Sequence, residues 1–534
     1  MIRKKIESLI EKTIKDLQKE GALLDFEIPE IKIEYPQSKN YGDYSTNIAM
    51  RIAKLSKKNP TEIANLITKS LNQLIAKPIF SEVEIAGPGF INFFISEKYL
   101  QKQVSKILKE KEKFGSLKIG KNKKVQVEFI SANPTGPLTL GNGRGGFCGD
   151  ILANILTKAG YKVEREYYIN DRGEQIRKLG HSVIGDSKAV YKGKYIKGLR
   201  KKVRGNNPDK VGEKAAKIIL KETIKPWVKK MGIEFDVWFS EQSLYKNKEV
   251  ERVLKYLKKK KLAYEKDGAL WFKSAKFGDD KDRVLIRENG EKTYLASDIA
   301  YLKNKFKRGF KKIIYFWGAD HYGYVERMKA AVEALGYKKE QVDFIILQLV
   351  AVMWAGKKQR MSKRKGIYWG LDELIRDLGL DVVRFFFLTK SPGSHLIFDL
   401  DLAKEQSEKN PVYYIQYAFA RICSILRKLG TKDRKLKATP KDLNSLKEPA
   451  ELNLIKQLVR FPEIIEDTVK DYQVQRIPQY STDLATSFHR FYKDCRVITE
   501  NKEIMKARIA LIKASKIVLK NTLDLMGISS PEKM

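Results

Sequence analysis

The sequence predicts an α/β protein built on a doubly wound parallel sheet, with an N-terminal α+β domain before it and an all-α helical bundle after it. Three observations carry that prediction. Between residues 124 and 169 a strand, a glycine-rich loop, a helix and a second strand follow one another, which is the opening unit of a parallel α/β sheet. Before this unit, helical text is followed by two short strand-like runs. Beyond about residue 409 the apolar pattern is helical throughout, with aromatics set among Lys and Arg.

Residues 1–115 open with Ile6, Leu9, Ile10, Ile14 and Leu17 at helical spacing. EYPQSKNYGDYSTN reads as a turn-rich stretch. IAMRIAKL and PTEIANLITKSLNQLI read as helices, and FSEVEIA and GFINFFIS as strands about the turn Gly87-Pro88-Gly89. GSLKIGKNKK (115–124) reads as a linker. The domain 116–408 begins with the strand KVQVEFI, the glycine-opened helix LGNGRGGFCGDILANILTKAGY and the strand KVEREYYI. Residues from about 172 to 285 are lysine-rich and helical in pattern, and read as an insertion. KKIIYFWG (311–318) and VDFIILQLV (342–350) resume the sheet. Residues 409–534 read as a bundle whose removal is expected to leave the nucleotide fold intact.

A chain of 534 residues predicts about three domains, and 43% hydrophobic residues suffice for their cores. No run approaches the roughly 20 apolar residues of a membrane span, so no membrane partner is expected. The first residues mix Lys and Glu at helical spacing, unlike a signal peptide. Three widely separated cysteines point to a reducing, cytoplasmic location and to no metal site. Lys and Arg number 105 against 65 Asp and Glu, a net charge of +40. That field predicts a polyanionic partner, although a lysine-rich proteome would produce the same excess. The run Lys258–Lys261 reads as a solvated helix face.

The chemistry concentrates in SANPTGPLTLGNGRGGFCGD, residues 131–150. GNGRGG (141–146) satisfies the G-x-G-x-x-G dinucleotide fingerprint, and Glu164 or Glu166 lies about 20 residues on, where a ribose-binding carboxylate would stand. An NAD-dependent oxidoreductase would place its glycines directly after the strand. Here the strand ends near Ile130, and a stretch with two prolines intervenes. The spacing favours another nucleotide site, with the amides of Gly141 to Gly143 facing an anion at a helix N-terminus. Thr139 and Asn142 would aim donors at phosphate oxygens. The distant GKKQRMSKRKGIYW (356–369) gathers Lys357, Lys358, Arg360, Lys363, Arg364 and Lys365 around one Ser. Such a basic loop meets charge developing on departing phosphates.

Together the two stretches resemble the paired signatures of class I aminoacyl-tRNA synthetases. Thr139-Leu140-Gly141-Asn142 stands in the place of "HIGH", and Arg360-Met361-Ser362-Lys363-Arg364 looks like "KMSKS". EYYINDRGEQ, TYLASDIAYL, WGADHYGYVERMKAA and SHLIFDLDLAKEQSEKNPVYYIQYAFARICSI resemble the arginyl-tRNA synthetase family. So do the N-terminal YGDYSTN and AGPGFINF and the closing MGISSPEKM.

The resemblance implies a Rossmann-like catalytic domain that ligates L-arginine to tRNA(Arg) with ATP, through arginyl-adenylate and release of pyrophosphate and AMP. It implies Mg²⁺ held with the ATP phosphates and no protein metal cage, and a monomer in the cytoplasm. It assigns Thr139, Asn142 and Lys363 to catalysis, and Pro137, Leu140, Gly141, Gly143, Met361, Ser362 and Lys363 to ATP. Arginine falls to Glu128, Asn133, Tyr294, Asp298 and His321. Asp298 is expected to face the guanidinium with Tyr294 packed and hydrogen-bonded beside it, and Glu128 could instead orient the α-amino group. Asp320 and His321 are expected to border that cavity. Asn92 and the bundle residues Tyr413, Gln416 and Tyr417, with Tyr414, are assigned to tRNA, about half of the bundle aromatics being core.

The departures are specific. Both imidazoles of "HIGH" are replaced, by Thr139 and Asn142, as in the tryptophan and tyrosine branches of the class. Tyr41 and Phe419 stand where the family often has His. A catalytically silent tRNA-binding paralogue is therefore the alternative, against which the retained Lys363 and arginine-pocket residues count.

Overall fold

A computed structural model describes residues 1–74, 79–359, 370–429 and 437–534. The first helix, Ile2–Lys19, buries Ile6, Ile10, Ile14 and Leu17, so the predicted stripe is the face it packs on. With the helices Ile48–Ser56 and Pro60–Leu74 it covers an antiparallel sheet of β1 (Tyr44–Thr46), β2 (Phe80–Ala86) and β3 (Phe90–Ile95), in the order β1-β3-β2. β1 lies inside the stretch the sequence reads as turns. Three residues are too few to display a period of two.

The chain then lays down β4 (Lys124–Glu128), β5 (Lys162–Ile169) and β6 (Val237–Ser240), a small antiparallel sheet of β7 (Ala263–Lys266), β8 (Ala269–Phe272) and β9 (Arg283–Ile286), and finally β10 (Lys312–Gly318) and β11 (Val342–Leu347). Among the described residues the central sheet is parallel, in the order β11-β10-β4-β5-β6. Its strands wind outward from β4 on one side and from β10 on the other. The reversal lies between those two strands, where Tyr315 pairs with Glu128, and the crevice at the carboxyl ends of such strands is where ligands bind.

The reading of 172–285 as a helical insertion is corrected by this topology. β6, inside that span, is a strand of the parallel sheet, and β7 to β9 lie there too. Four-residue strands among lysine-rich helices carry no legible periodicity.

A further sheet joins β12 (Val350–Trp354), β13 (Lys357–Gln359) and β14 (Leu396–Asp399), with β12 antiparallel to β13 and parallel to β14. The C-terminal part contains the helices Pro411–Lys428, Pro449–Asp471, Arg476–Asp494 and Lys502–Met526. One hydrophobic core runs from Ile2 through the sheet to Ile528. Buried polar joints cross it. Arg384 donates to the carbonyls of Met526 and Met231 at 2.8 and 2.7 Å, and pairs with Asp150. Asn154 donates to the carbonyl of Leu525 at 3.0 Å. At the other end Glu463 accepts the Arg3 amide at 2.9 Å and the Tyr44 hydroxyl at 3.0 Å. The bundle is thus continuous with the nucleotide fold, against the expectation that it can be removed cleanly. Among the described residues no helix is long and apolar enough to cross a membrane.

Candidate active site

Two cavities meet at the carboxyl ends of β4, β5 and β10. The deeper, of about 520 Å³, is lined by Glu128, Tyr168, Asp298, Tyr315, Trp317, His321 and Tyr324 among others. The wider, of about 1490 Å³, lies over the start of the helix Leu140–Lys158 and takes in Pro137, Thr139, Gly141, Asn142 and Asp320. Both are lined by Ile130, Ser131, Asn133, Asn170, Phe316, Gly318 and His321, so a ligand can span them. The chain leaves β4 through two left-handed residues, Ile130 (φ +64°) and Ser131 (φ +38°), a costly conformation for a β-branched side chain. The Ser131 hydroxyl donates to Glu128 Oε1 at 3.3 Å and accepts the Tyr168 amide at 3.0 Å, which ties β4 to β5 at the crevice.

The deep cavity is lined by two carboxyls, Glu128 and Asp298, and by the guanidinium of Arg172. Tyr294 and Asp298, four residues apart, lie on the helix Tyr294–Lys307, and both line this cavity. Burial and the nearby Glu128 push the Asp298 carboxyl up to about 6, although the Tyr324 hydroxyl donates to its Oδ2 at 2.6 Å. Glu241 begins the short helix after β6 and is 3% exposed. Burial, and then the charge of Asp298, push its carboxyl up to about 7, and its Oε2 has no hydrogen-bond partner among the described residues. Glu241 opens on an adjoining cavity of about 760 Å³ that shares Arg172 and Tyr294 with the deep one. Asp298 and Glu241 line adjoining cavities and the charge of the one raises the other, so a bound cation would relieve them.

Glu128 differs. Its Oε2 pairs with the fully buried Lys305, whose ammonium also lies 3.9 Å from Glu166 Oε1 and over the rings of Tyr301 and Tyr315. Burial lowers the Lys305 pKa. One oxygen of Glu128 is therefore already committed, so its part in holding arginine is limited from the start. Glu166, the candidate ribose carboxylate of the dinucleotide reading, is buried and paired with Arg308 at 2.5 Å, which removes it from any cofactor.

At the wide cavity Thr139 and Asn142 cap the helix that begins at Leu140. Asn142 Oδ1 accepts the Thr139 amide at 2.9 Å and its hydroxyl at 2.8 Å, and Thr139 Oγ1 accepts the Asn142 amide at 3.4 Å. This is a capping box, which satisfies two otherwise orphaned amides. The Thr139 hydroxyl proton is thereby directed at Asn142, while the Asn142 NH₂ makes no bond among the described residues. Of the amides expected to face an anion, that of Gly143 donates to the Thr139 carbonyl at 3.0 Å. Gly143 is buried, and a Cβ there would come within 2.8 Å of Leu371, so close packing accounts for this glycine. Leu140 is also buried, with Gly141 beside it and Pro137 exposed on the cavity wall.

The remaining expectations fall as follows. Asn133 Oδ1 accepts from Asn170 at 2.8 Å where the cavities join. His321 borders both cavities, 3.6 Å from Asp320. Tyr294 is exposed at the mouth, and the hydroxyl on Asp298 comes from Tyr324 rather than from Tyr294. Met361, Ser362 and Lys363 lie outside the described residues, as do Arg360 and Arg364. Asn92 is 2% exposed and accepts the Ser45 hydroxyl at 2.7 Å, so RNA could reach it only by displacing that pair. Tyr413, Tyr414 and Tyr417 are half-buried, Tyr413 and Tyr417 stacking at 6.3 Å, while Phe419 is core. Gln416 donates to Asp381 at 2.8 Å and to the Ser529 carbonyl at 3.0 Å, which occupies its amide in joining the C-terminus to the catalytic part. Glu241, Lys305, Tyr168 and Tyr324 are absent from the sequence-based assignment. Tyr168 and Tyr324 carried a local signal, as parts of EYYINDRGEQ and WGADHYGYVERMKAA, whereas Glu241 and Lys305 carried none.

Family models match the whole architecture. The model described as "tRNA synthetases class I (R), catalytic domain" covers residues 103–185 and 186–383. "Arginyl tRNA synthetase N terminal domain" covers 4–95 and "DALR anticodon binding domain" 415–534. The chain belongs to the arginyl-tRNA synthetase family. Family membership extends end to end: the chain is 46% identical to an arginine–tRNA ligase of Caldanaerobacter subterraneus subsp. tengcongensis, over 100% of this chain and 99% of that one. It is 44% identical, with the same coverage, to an arginine–tRNA ligase of Acetivibrio thermocellus. Its fold is that of the Thermus thermophilus arginyl-tRNA synthetase, at a TM-score of 0.78 and 21% identity, over 100% of both chains.

Proposed function

We propose that the chain ligates L-arginine to tRNA(Arg) with ATP, and that Asp298 and Glu241 are the charges that select the amino acid. The observation that carries this reading is the pair of upward-shifted carboxyls, the half-buried Asp298 and the buried Glu241, beside a cavity that continues to a capped helix N-terminus. A guanidinium is always protonated and offers five donors, which suits carboxylates and neutral oxygens together.

In the first step the arginine carboxylate attacks the α-phosphorus of ATP and pyrophosphate leaves, giving arginyl-adenylate. In the second, the 2′-hydroxyl of the terminal tRNA ribose attacks the activated carbonyl and AMP leaves. Neither step needs an enzyme nucleophile, so positioning and charge stabilisation carry the catalysis. Asp298 and Glu241 hold the guanidinium. Asn133 and Asn170, where the cavities join, are suited to the α-amino and carboxyl end. The Asn142 NH₂ donates to a phosphate oxygen, and Lys363, in the basic stretch, meets the charge of the departing pyrophosphate. In the wide cavity Asp320 is the one carboxylate on the described lining. A single exposed carboxylate makes no metal cage, so Mg²⁺ would be held by the phosphates.

We further propose residues 1–115 and 409–534 as the tRNA-gripping parts around the catalytic domain 116–408, and a cytoplasmic monomer. ATP–pyrophosphate exchange with and without tRNA tests the reading. Exchange that depends on arginine supports it. No exchange under either condition, with tRNA binding intact, would establish the silent paralogue. Sedimentation equilibrium tests the monomer.

A further inference from the structure

The deep cavity contains a polar atom that neither the fold nor the reading above uses. Tyr168, on β5, is 7% exposed and lines the cavity, and its hydroxyl has no partner among the described residues. Its ring is held fast, stacked on Tyr301 at 4.4 Å and on Phe239 at 6.2 Å, and its amide is bonded to Ser131. The hydroxyl is therefore fixed in place. Glu128 and Asp298 line the same cavity, so the hydroxyl shares it with two carboxyls. A buried hydroxyl without a partner costs stability, and its retention calls for a group that completes it.

We infer that the Tyr168 hydroxyl is a specificity-determining contact for the guanidinium of the substrate, its oxygen accepting an N–H that the carboxylates leave over. The inference rests on the reading of the cavity as an arginine pocket. A guanidinium presents donors in a planar fork, and one or two acidic side chains seldom meet all five. A neutral oxygen at fixed position supplies a further acceptor without adding another negative charge to the cavity. The same fixed oxygen favours a fork over the compact ammonium of lysine, whose donors can all turn to the carboxylates.

The test is Tyr168→Phe in the full chain, which removes one oxygen and keeps the stacked ring. Two ligands are titrated calorimetrically: L-arginine, and agmatine, which keeps the guanidinium and lacks the carboxylate. A hydrogen bond to a charged group predicts a loss of about 10- to 100-fold in affinity for both, by the same factor, with the KM for ATP unchanged. Without ligand the variant should unfold at the same temperature as the parent or higher, because an unpartnered buried hydroxyl has been removed.

Equal affinities for parent and variant overturn the inference. So does a loss confined to L-arginine, which would move the contact to the α-amino acid end. A destabilised variant would mean that the hydroxyl has a structural partner, and overturns it as well. A parent chain that binds neither ligand refutes the arginine pocket itself, a result distinct from these three.

Discussion

At the scale of the residue, the proposed selectivity for arginine rests on two carboxyls, Asp298 and Glu241. Asp298 and Glu241 are held up to about 6 and about 7 chiefly by burial. Protons and the guanidinium therefore compete for them. Arginine binds the ionised forms, so its affinity should be full at about pH 8 and fall on the order of tenfold by about pH 6. In the unliganded protein the sign is opposite. Between pH about 4 and 7 the folded state keeps protons that the unfolded chain has lost, so stability declines as pH rises through that window. Calorimetry of arginine binding across the range measures the first effect, and a flat profile would exclude these groups as the partners. Asp298→Asn keeps the shape and removes the charge. Truncating one side of a buried charge pair costs about 2–5 kcal/mol, so the KM for arginine should rise at least 30-fold while that for ATP stays put. An unchanged arginine KM would clear Asp298 of the role.

At the scale of the element, two helices serve structure and chemistry at once. The helix that starts at Leu140 is capped by the same Thr139 and Asn142 that stand where the family signature has imidazoles. Asn142→Asp separates the functions. It keeps an acceptor for the Thr139 amide and replaces the NH₂ donor with a negative charge beside the nucleotide. Adenylate formation should slow by two to three decades, roughly the loss of one donor aimed at a transition state, with little change in melting temperature. Thr139→Ala should instead lower stability by about 1 kcal/mol, as a lost cap does. Single-turnover adenylate formation and thermal melts of both variants separate the readings. Variants with parental adenylate rates would leave the pair as a cap alone.

The helix Tyr294–Lys307 carries Asp298 into the pocket and Lys305 beneath it, where Lys305 stands between Glu128 and Glu166. Lys305→Met leaves the buried Glu128 without its cation, while Glu166 keeps Arg308. Such a break costs about 3–5 kcal/mol at neutral pH. The stranded Glu128 carboxyl then takes up a proton, so the deficit should shrink on acidification. Urea unfolding at about pH 7.5 and 5.5 reads the difference, and an equal deficit at both would mean that the pairing is not what holds this floor.

At the scale of the whole molecule, the N-terminal domain, sheet and bundle share one core. Arg384 and Asn154 both donate to carbonyls at the end of the last helix, next to the sheet's first helix. Deleting 409–534 should therefore expose that core and yield aggregated or unfolded protein. A soluble, cooperatively melting fragment of 1–408 would show that the joint is dispensable. The net charge of +40 predicts that tRNA affinity falls linearly on a logarithmic salt scale, with a slope set by the phosphates neutralised. Filter binding from about 50 to 200 mM salt measures it, and a shallow slope would assign the excess lysine to general composition.

The sequence by itself determined the fold class and pointed to the helix N-terminus proposed for the nucleotide, because those signals are local. A strand, a prolyl-glycyl loop and a glycine-opened helix lie within about 35 consecutive residues, and the Tyr294–Asp298 spacing puts both side chains on one face once that stretch is a helix. The capping box was equally local and could have been found from Thr139-x-x-Asn142. Only the tertiary structure decided which acidic groups are available. Glu128 lies 177 positions from the lysine that occupies it, and the charge of Asp298 acts on Glu241 only after a four-residue strand has joined the sheet from within a lysine-rich span. The physical reason is that periodicity and capping act over one or two turns of chain. Burial and charge pairing depend on what the rest of the molecule brings alongside, so a carboxylate's availability has no signature in its own neighbourhood.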